Sequence, residues 1–451
     1  MNLKRIGFSL WFLGSALQAW AQEPADRFLL SPDLHFRTFW MSTSYPSRDF
    51  KEDYALGMSL NLGGKITYAE HLRLHAGYRL FANVASSDIW NPDPTTGQGN
   101  RYEVGLFDLL DLRDRFFGKL ETLSLEYFTE KFSIKAGRMG INTDWVNPQD
   151  GRLSPTAVEG LHLSYRPDDK WALRLWVIGR MSIRGSSGWM GVGETVGVFP
   201  VGRSVEGGPS RYFGNTESKW IGIAEVGRTL GEGLEGSFSQ TLAHNLFSTT
   251  SLKLERRRKL GAGTGMAGLQ SSLQLGVGEG GNTDPQLRYK DPGDANFALS
   301  ARAGWSTSRW TTHLNYTHVG GGGRWLSPRE WGKDPWYSFI PRERNEGYQR
   351  VDALSLYGEY KMEKANLDVY AHAGLHWLAD RDDPGGNKYN FPSYRQLNLG
   401  LKYHPRSVKN ADIHLLFVAK GPLGEEELTP NQIYNKVEML HVNAILNWRW
   451  H

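Results

Sequence analysis

The chain has no cysteine, which removes disulfides, thiolate metal ligands, a cysteine nucleophile and a lipidated cysteine together. Past its first two dozen residues it also lacks any apolar run near the ~20 residues that a membrane-spanning helix needs. A helical membrane protein is excluded. Neither sign of charge dominates, with 52 basic against 48 acidic residues, and the basic ones are scattered rather than massed as a nucleic-acid footprint would be. The sequence contains neither a G-x-S-x-G elbow nor H-E-x-x-H, so these routes to a hydrolase or a zinc peptidase are closed. His372 and His376 share one face of an extended segment, where a spacing of four puts them about 13 Å apart, too far for one metal. The expectation is a protein that is not an enzyme and holds no metal or cofactor.

What is present is alternation. In HLRLHAGYRLFANV, residues 71–84, Leu72, Leu74, Ala76, Tyr78 and Leu80 take one parity, while Arg73, His75, Gly77, Arg79 and Phe81 take the other. WALRLWVIGRMSI, LNLGLKY, ADIHLLFVAK and HVNAILNWRW repeat the pattern. Period 2 is the strand period. Counting such segments gives about eighteen strands, many of roughly nine to fourteen residues, long enough to cross a bilayer on a tilt.

The connections alternate too. AEH, TEK, PDDK, TLGEG, TSR and MEK are tight turns, and between them lie long segments such as 86–119, 139–156, 185–218 and 320–350. Short turns on one side and long loops on the other are the plan of an outer-membrane barrel. The expected fold is therefore all-β: a transmembrane antiparallel β-barrel of about 18 strands. In a bilayer the arginines of these strands must face the water inside, because at the lipid midplane each costs roughly 2 to 4 kcal/mol.

The first residues, MNLKRIGFSLWFLGSALQAWAQEP, combine Lys4 and Arg5, an apolar stretch and the small-x-small Ala19-Trp20-Ala21. They read as a cleaved signal peptide, 1–21, followed by one barrel domain, 22–451. Trp40, Trp171, Trp305, Trp310, Trp377, Trp448 and Trp450 fall near strand ends, where interface girdles lie.

The segment KAGRMGINTDWVNPQDGRLSPTAVEGL, 135–161, resembles the third-loop region of the OprD-type substrate-specific outer-membrane porins. Asp150, Gly151, Arg152, Leu153, Pro155, Glu159 and Gly160 match that family's motif. The resemblance implies a monomeric channel for small polar solutes such as amino acids, peptides, carboxylates or oligosaccharides, narrowed by loops 3 and 7.

Alternation places Arg37, Arg73, Arg79, Arg174, Arg180, Lys253, Arg257, Arg302, Lys402 and Arg449 inward, a basic ladder that would draw anions or a solute's carboxylate through the pore. The constriction is expected from Asp144, Asp150 and Arg152 in one loop and from Arg342, Glu343, Arg344 and Glu346 in another. Trp325, Trp331, Trp336, Tyr337 and Phe339 offer stacking surface for a sugar. The expected partners are outer-membrane lipid and a small polar solute, with no nucleic acid. The competing readings are transport of an acidic or chitin-like oligosaccharide and a barrel enzyme.

Overall fold

The computed structural model describes residues 28–149 and 152–450. The leader, Asp150, Gly151 and His451 lie outside them. The strands in chain order are β1 Phe28–Ser44, β2 Asp53–Tyr68, β3 Leu72–Ser86, β4 Phe116–Phe128, β5 Phe132–Gly140, β6 Ala157–Tyr165 and β7 Trp171–Ser182. Next come β8 Met190–Gly191, β9 Ile221–Gly231, β10 Leu234–Ala243, β11 Phe247–Leu260, β12 Gly263–Gly276 and β13 Ala295–Ser306. The last six are β14 Trp310–Gly321, β15 Val351–Met362, β16 Leu367–Leu378, β17 Tyr394–Tyr403, β18 Ala411–Pro422 and β19 Met439–Trp450.

All lie in one 19-stranded sheet. β8 is a two-residue ladder on the end of β7, so eighteen strands build the wall. Each pairs antiparallel with its neighbours, and β1 pairs with both β2 and β19. The sheet is closed. Closure bonds every wall strand on both edges, which is what allows a sheet to sit in hydrocarbon.

The two parities separate as physics requires. In β3, Leu74 is 40% exposed to the surroundings and Arg79, five residues on, only 4%. Outward leucines continue around the wall at Leu161, Leu175, Leu252, Leu269, Leu314, Leu356 and Leu399. Trp305, Trp310, Trp377 and Trp450 are exposed on the outside near strand ends, as girdle residues are.

The turn side is tight. β9 and β10 are joined through Gly233, whose φ of +64° and a Cβ position only 2.0 Å from the Arg257 carbonyl leave room for glycine alone. On the other side the loops are long with one exception, 244–246, a three-residue connection between β10 and β11. Alternation of long and short therefore fails once.

The apolar core lies inside the barrel, not between layers. Met139, Val158, Trp176, Ile178 and Ile221 on the wall pack against Ile141, Val192, Val196, Tyr212, Leu326 and Trp331 from the loops and loop ends. Trp145, Trp325 and Trp336 form a second nucleus, with ring centroids 5.2 to 5.4 Å apart. This corrects an expectation. Trp325, Trp331 and Trp336 are at most 2% exposed, so they fill the barrel as packing and present no face to a sugar.

Candidate functional site

Loop 3 (141–156) and loop 7 (322–350) are bolted together across the lumen. Asn147 donates from Nδ2 to the Lys333 carbonyl at 3.0 Å and accepts from the Lys333 N–H at 2.9 Å. Gln149 donates to the Glu330 carbonyl at 2.8 Å and accepts from Arg344 at 2.7 Å. The backbones touch at Gly332, where a Cβ would stand 2.5 Å from the Trp145 carbonyl oxygen. Only glycine permits that approach.

A buried carboxylate ties this unit to the wall. Glu343 accepts from Arg101 of loop 2 (87–115) at 2.8 Å, from Arg329 at 2.9 Å and from the Lys420 Nζ of β18 at 3.0 Å. Burial alone would raise its pKa, but the charges of Arg101, Lys420 and Arg329 more than offset this and hold it well below the usual carboxylate range. Glu346 lies behind, bonded to Arg329 and to the Tyr389 hydroxyl at 2.7 Å.

Between loops 2, 3, 4 and 7 is a cavity of about 130 Å3, lined by Arg101, Arg152, Arg184, Arg329, Lys333, Arg342 and Arg344 with Glu343 as the one acidic side chain. Phe199 and Pro200 from loop 4 (183–220) and Phe339 and Pro341 from loop 7 also line it. Arg342 is held from the wall by the Asn443 side-chain oxygen at 2.6 Å. Close by, Arg37, Arg152 and Arg342 surround the Phe39 ring, with guanidinium carbons 5.4 to 5.8 Å from its centre. Seven cations against one carboxylate make a strongly positive site behind low-dielectric walls.

Of the residues expected at a constriction, Arg152, Arg342, Glu343 and Arg344 line this cavity. Asp144 does not; it accepts from Ser239 of β10 at 2.6 Å. Glu346 supports from behind, and Asp150 is outside the described residues. Arg101, Arg184, Arg329 and Lys333 were not among the expected residues. Arg329 and Lys333 stand in the same long segment, 320–350, that supplied the loop 7 candidates, whereas Arg101 and Arg184 lie in loops with no periodic signal.

The expected ladder divides. Arg79 is buried and bidentate on Glu121, at 2.6 and 2.7 Å. Arg73 pairs with Glu126 at 3.4 Å, Arg174 with Glu225 at 3.1 Å and Lys253 with Glu255 at 3.4 Å. These inward bases are thus partly neutralised on the wall. Arg37 donates to Asn447 at 2.9 Å and Arg302 to Asn315 at 2.7 Å, and Lys402 lies over the Tyr370 ring at 5.2 Å. Arg257 and Arg449 keep the inward parity near the turn-side mouth and are exposed.

Arg180 breaks the pattern. Opposite β6 the register jumps from Gly160↔Ile178 to Glu159↔Arg180, leaving Gly179 unpaired, and this bulge reverses the parity of the residues beyond it. Arg180 then shares the outer face with Glu159 and Arg138, whose partner across β4 is the outward Leu123. Its guanidinium bonds the Trp189 carbonyl at 2.6 Å. It is not a lumen residue.

No family model and no curated protein matches the sequence. Solved structures do. OccK9 (OpdG) of Pseudomonas aeruginosa superposes with a TM-score of 0.72 at 13% identity, covering 93% of this chain and 98% of that one. The fold is that of an OccK-type porin barrel. OpdK of the same organism, solved with vanillate, gives 0.69 at 12% identity over 93% and 98%. OccAB4 of Acinetobacter baumannii gives 0.70 at 11% over 95% and 100%. These neighbours are OprD-type channels of the outer membrane rather than enzymes, in agreement with the resemblance of the third-loop motif.

Proposed function

We propose that the protein is a passive, monomeric outer-membrane channel, exported by its leader 1–21, that selects small solutes bearing a carboxylate. The observation that carries this reading is the cavity lined by seven cationic side chains and one carboxylate. A carboxylate entering there meets guanidinium groups that bind it bidentately, and several of them, so that it passes between sites of similar strength. The ladder of Arg37, Arg73, Arg79, Arg174, Lys253, Arg257, Arg302, Lys402 and Arg449 biases the rest of the lumen toward anions, weakly where wall carboxylates already pair it. OpdK is solved with vanillate, an aromatic carboxylate, and Phe199 and Phe339, which line the cavity, give this chain apolar surface for a ring of that kind.

Uptake into proteoliposomes tests the reading. Benzoate is expected to enter at least tenfold faster than the neutral isostere benzamide, and replacing Arg152 and Arg342 together by Gln should remove most of that ratio, since one charge-assisted bond is worth roughly 1.5 to 3 kcal/mol. Equal rates for the two solutes would sink it.

A further inference from the structure

The outer surface of the barrel carries a feature that passage through the lumen does not use. Over β16, β17 and β18 lies a groove of about 730 Å3. Its floor is made of the small residues Ala373, Ala419 and Gly421, and leucines such as Leu356 and Leu397 form its sides. Register puts this set on one face, the face of the exposed Leu399 and Phe417.

At the head of the groove stands Arg395. It is the second residue of β17, directly after the outer loop 379–393, and sits in register between Leu375 and Gly421. Its neighbours Tyr394 and Gln396 are buried in the lumen, so Arg395 points to lipid. A Cβ on Gly421 would lie 3.1 Å from its Nε; the side chain runs across bare backbone at the upper end of the groove. Trp377, 44% exposed, marks the interface one step above.

Other outward arginines at this end have protein partners: Arg138 has Glu159 at 2.8 Å, Arg180 the Trp189 carbonyl and Arg350 has Asp352 at 3.3 Å. The Arg395 side chain makes no hydrogen bond or ion pair with any described residue. A guanidinium at the edge of hydrocarbon needs an anion or must reach for the headgroups. Phosphate matches its fork.

The geometry points to a binding site for a phosphorylated lipid of the outer leaflet, its phosphate on Arg395 and an acyl chain in the groove over Ala373 and Ala419. Because Arg395 faces away from the lumen, the site stands or falls independently of the channel's solute.

Native mass spectrometry of the full barrel in detergent tests it, with bisphosphorylated lipid A, its dephosphorylated form and inorganic phosphate as probes. Lipid A is expected to stay bound, with occupancy falling at least fivefold in Arg395→Gln and on loss of the lipid's phosphates. Ala419→Leu, which fills the groove and keeps the arginine, should also lower occupancy, while conductance stays at the wild-type value in both variants and so reports that they are folded. Equal lipid A retention by wild type and Arg395→Gln, or binding of inorganic phosphate with no gain from acyl chains, would overturn the proposal.

Discussion

Glu343 concentrates the electrostatics of the loop cavity in one residue. Three cations from loop 2, loop 7 and the wall converge on it while it is 3% exposed. Removing one partner of such a buried set costs about 3 to 5 kcal/mol, because the charges left behind stay desolvated. An exposed pair such as Arg48 with Glu438 is worth only ~0 to 1 kcal/mol. Glu343→Gln should therefore speed hydrogen exchange across loop 7 by two orders of magnitude or more, with Glu438→Gln as a near-silent control. Unchanged exchange in Glu343→Gln would show that apolar packing alone holds the loop.

Glu330 sets a pH dependence beside the same cavity. Burial pushes its pKa up to about 7, even though it accepts the Phe199 N–H at 2.9 Å. Below that pH it is neutral and adds nothing against the cations. Above it, a negative charge appears next to them. Anion selectivity, read as reversal potential, should rise as pH falls through about 7, and Glu330→Gln should hold the high selectivity at both ends of the range.

At the level of elements, the proposed narrowing of the pore rests on the hydrogen bonds between loops 3 and 7. Gly332 makes it possible by the close approach to Trp145. Gly332→Ala must push the two loops apart, and it should give a larger single-channel conductance with weaker solute discrimination; a conductance identical to wild type would mean that the loops can yield without opening the path.

The strands were legible because hydrophobic and polar side chains in a barrel wall have no freedom to exchange faces. Arg73, Arg79 and Arg174 are placed by period 2 alone. Arg180 was not, since one unpaired glycine reverses parity and a glycine within a strand does not announce whether it bulges. The loops were legible as loops, yet their partners were not: Arg101 reaches the cavity from the middle of loop 2 and Arg184 from just past the end of β7, and no local pattern encodes either arrival. The tryptophans of loop 7 misled for a related reason. A stacking surface and a packing nucleus have the same composition, and only burial tells them apart.

For the molecule as a whole, a nearly balanced chain builds an unbalanced interior. Wall arginines are offset by Glu121, Glu126 and Glu225, while the cavity between the loops keeps its positive excess. Selectivity should thus reside in the loops, with the wall supplying a scaffold and a mild bias. The most direct measurement is single-channel recording of the mature protein in a planar bilayer under a salt gradient, with benzoate, glucuronate, arginine and a chito-oligosaccharide added in turn. The account predicts an anion-selective reversal potential and interruptions of current by benzoate, relieved in Arg152→Gln/Arg342→Gln. A cation-selective channel, or one in which the neutral sugar and not benzoate interrupts the current, would contradict it.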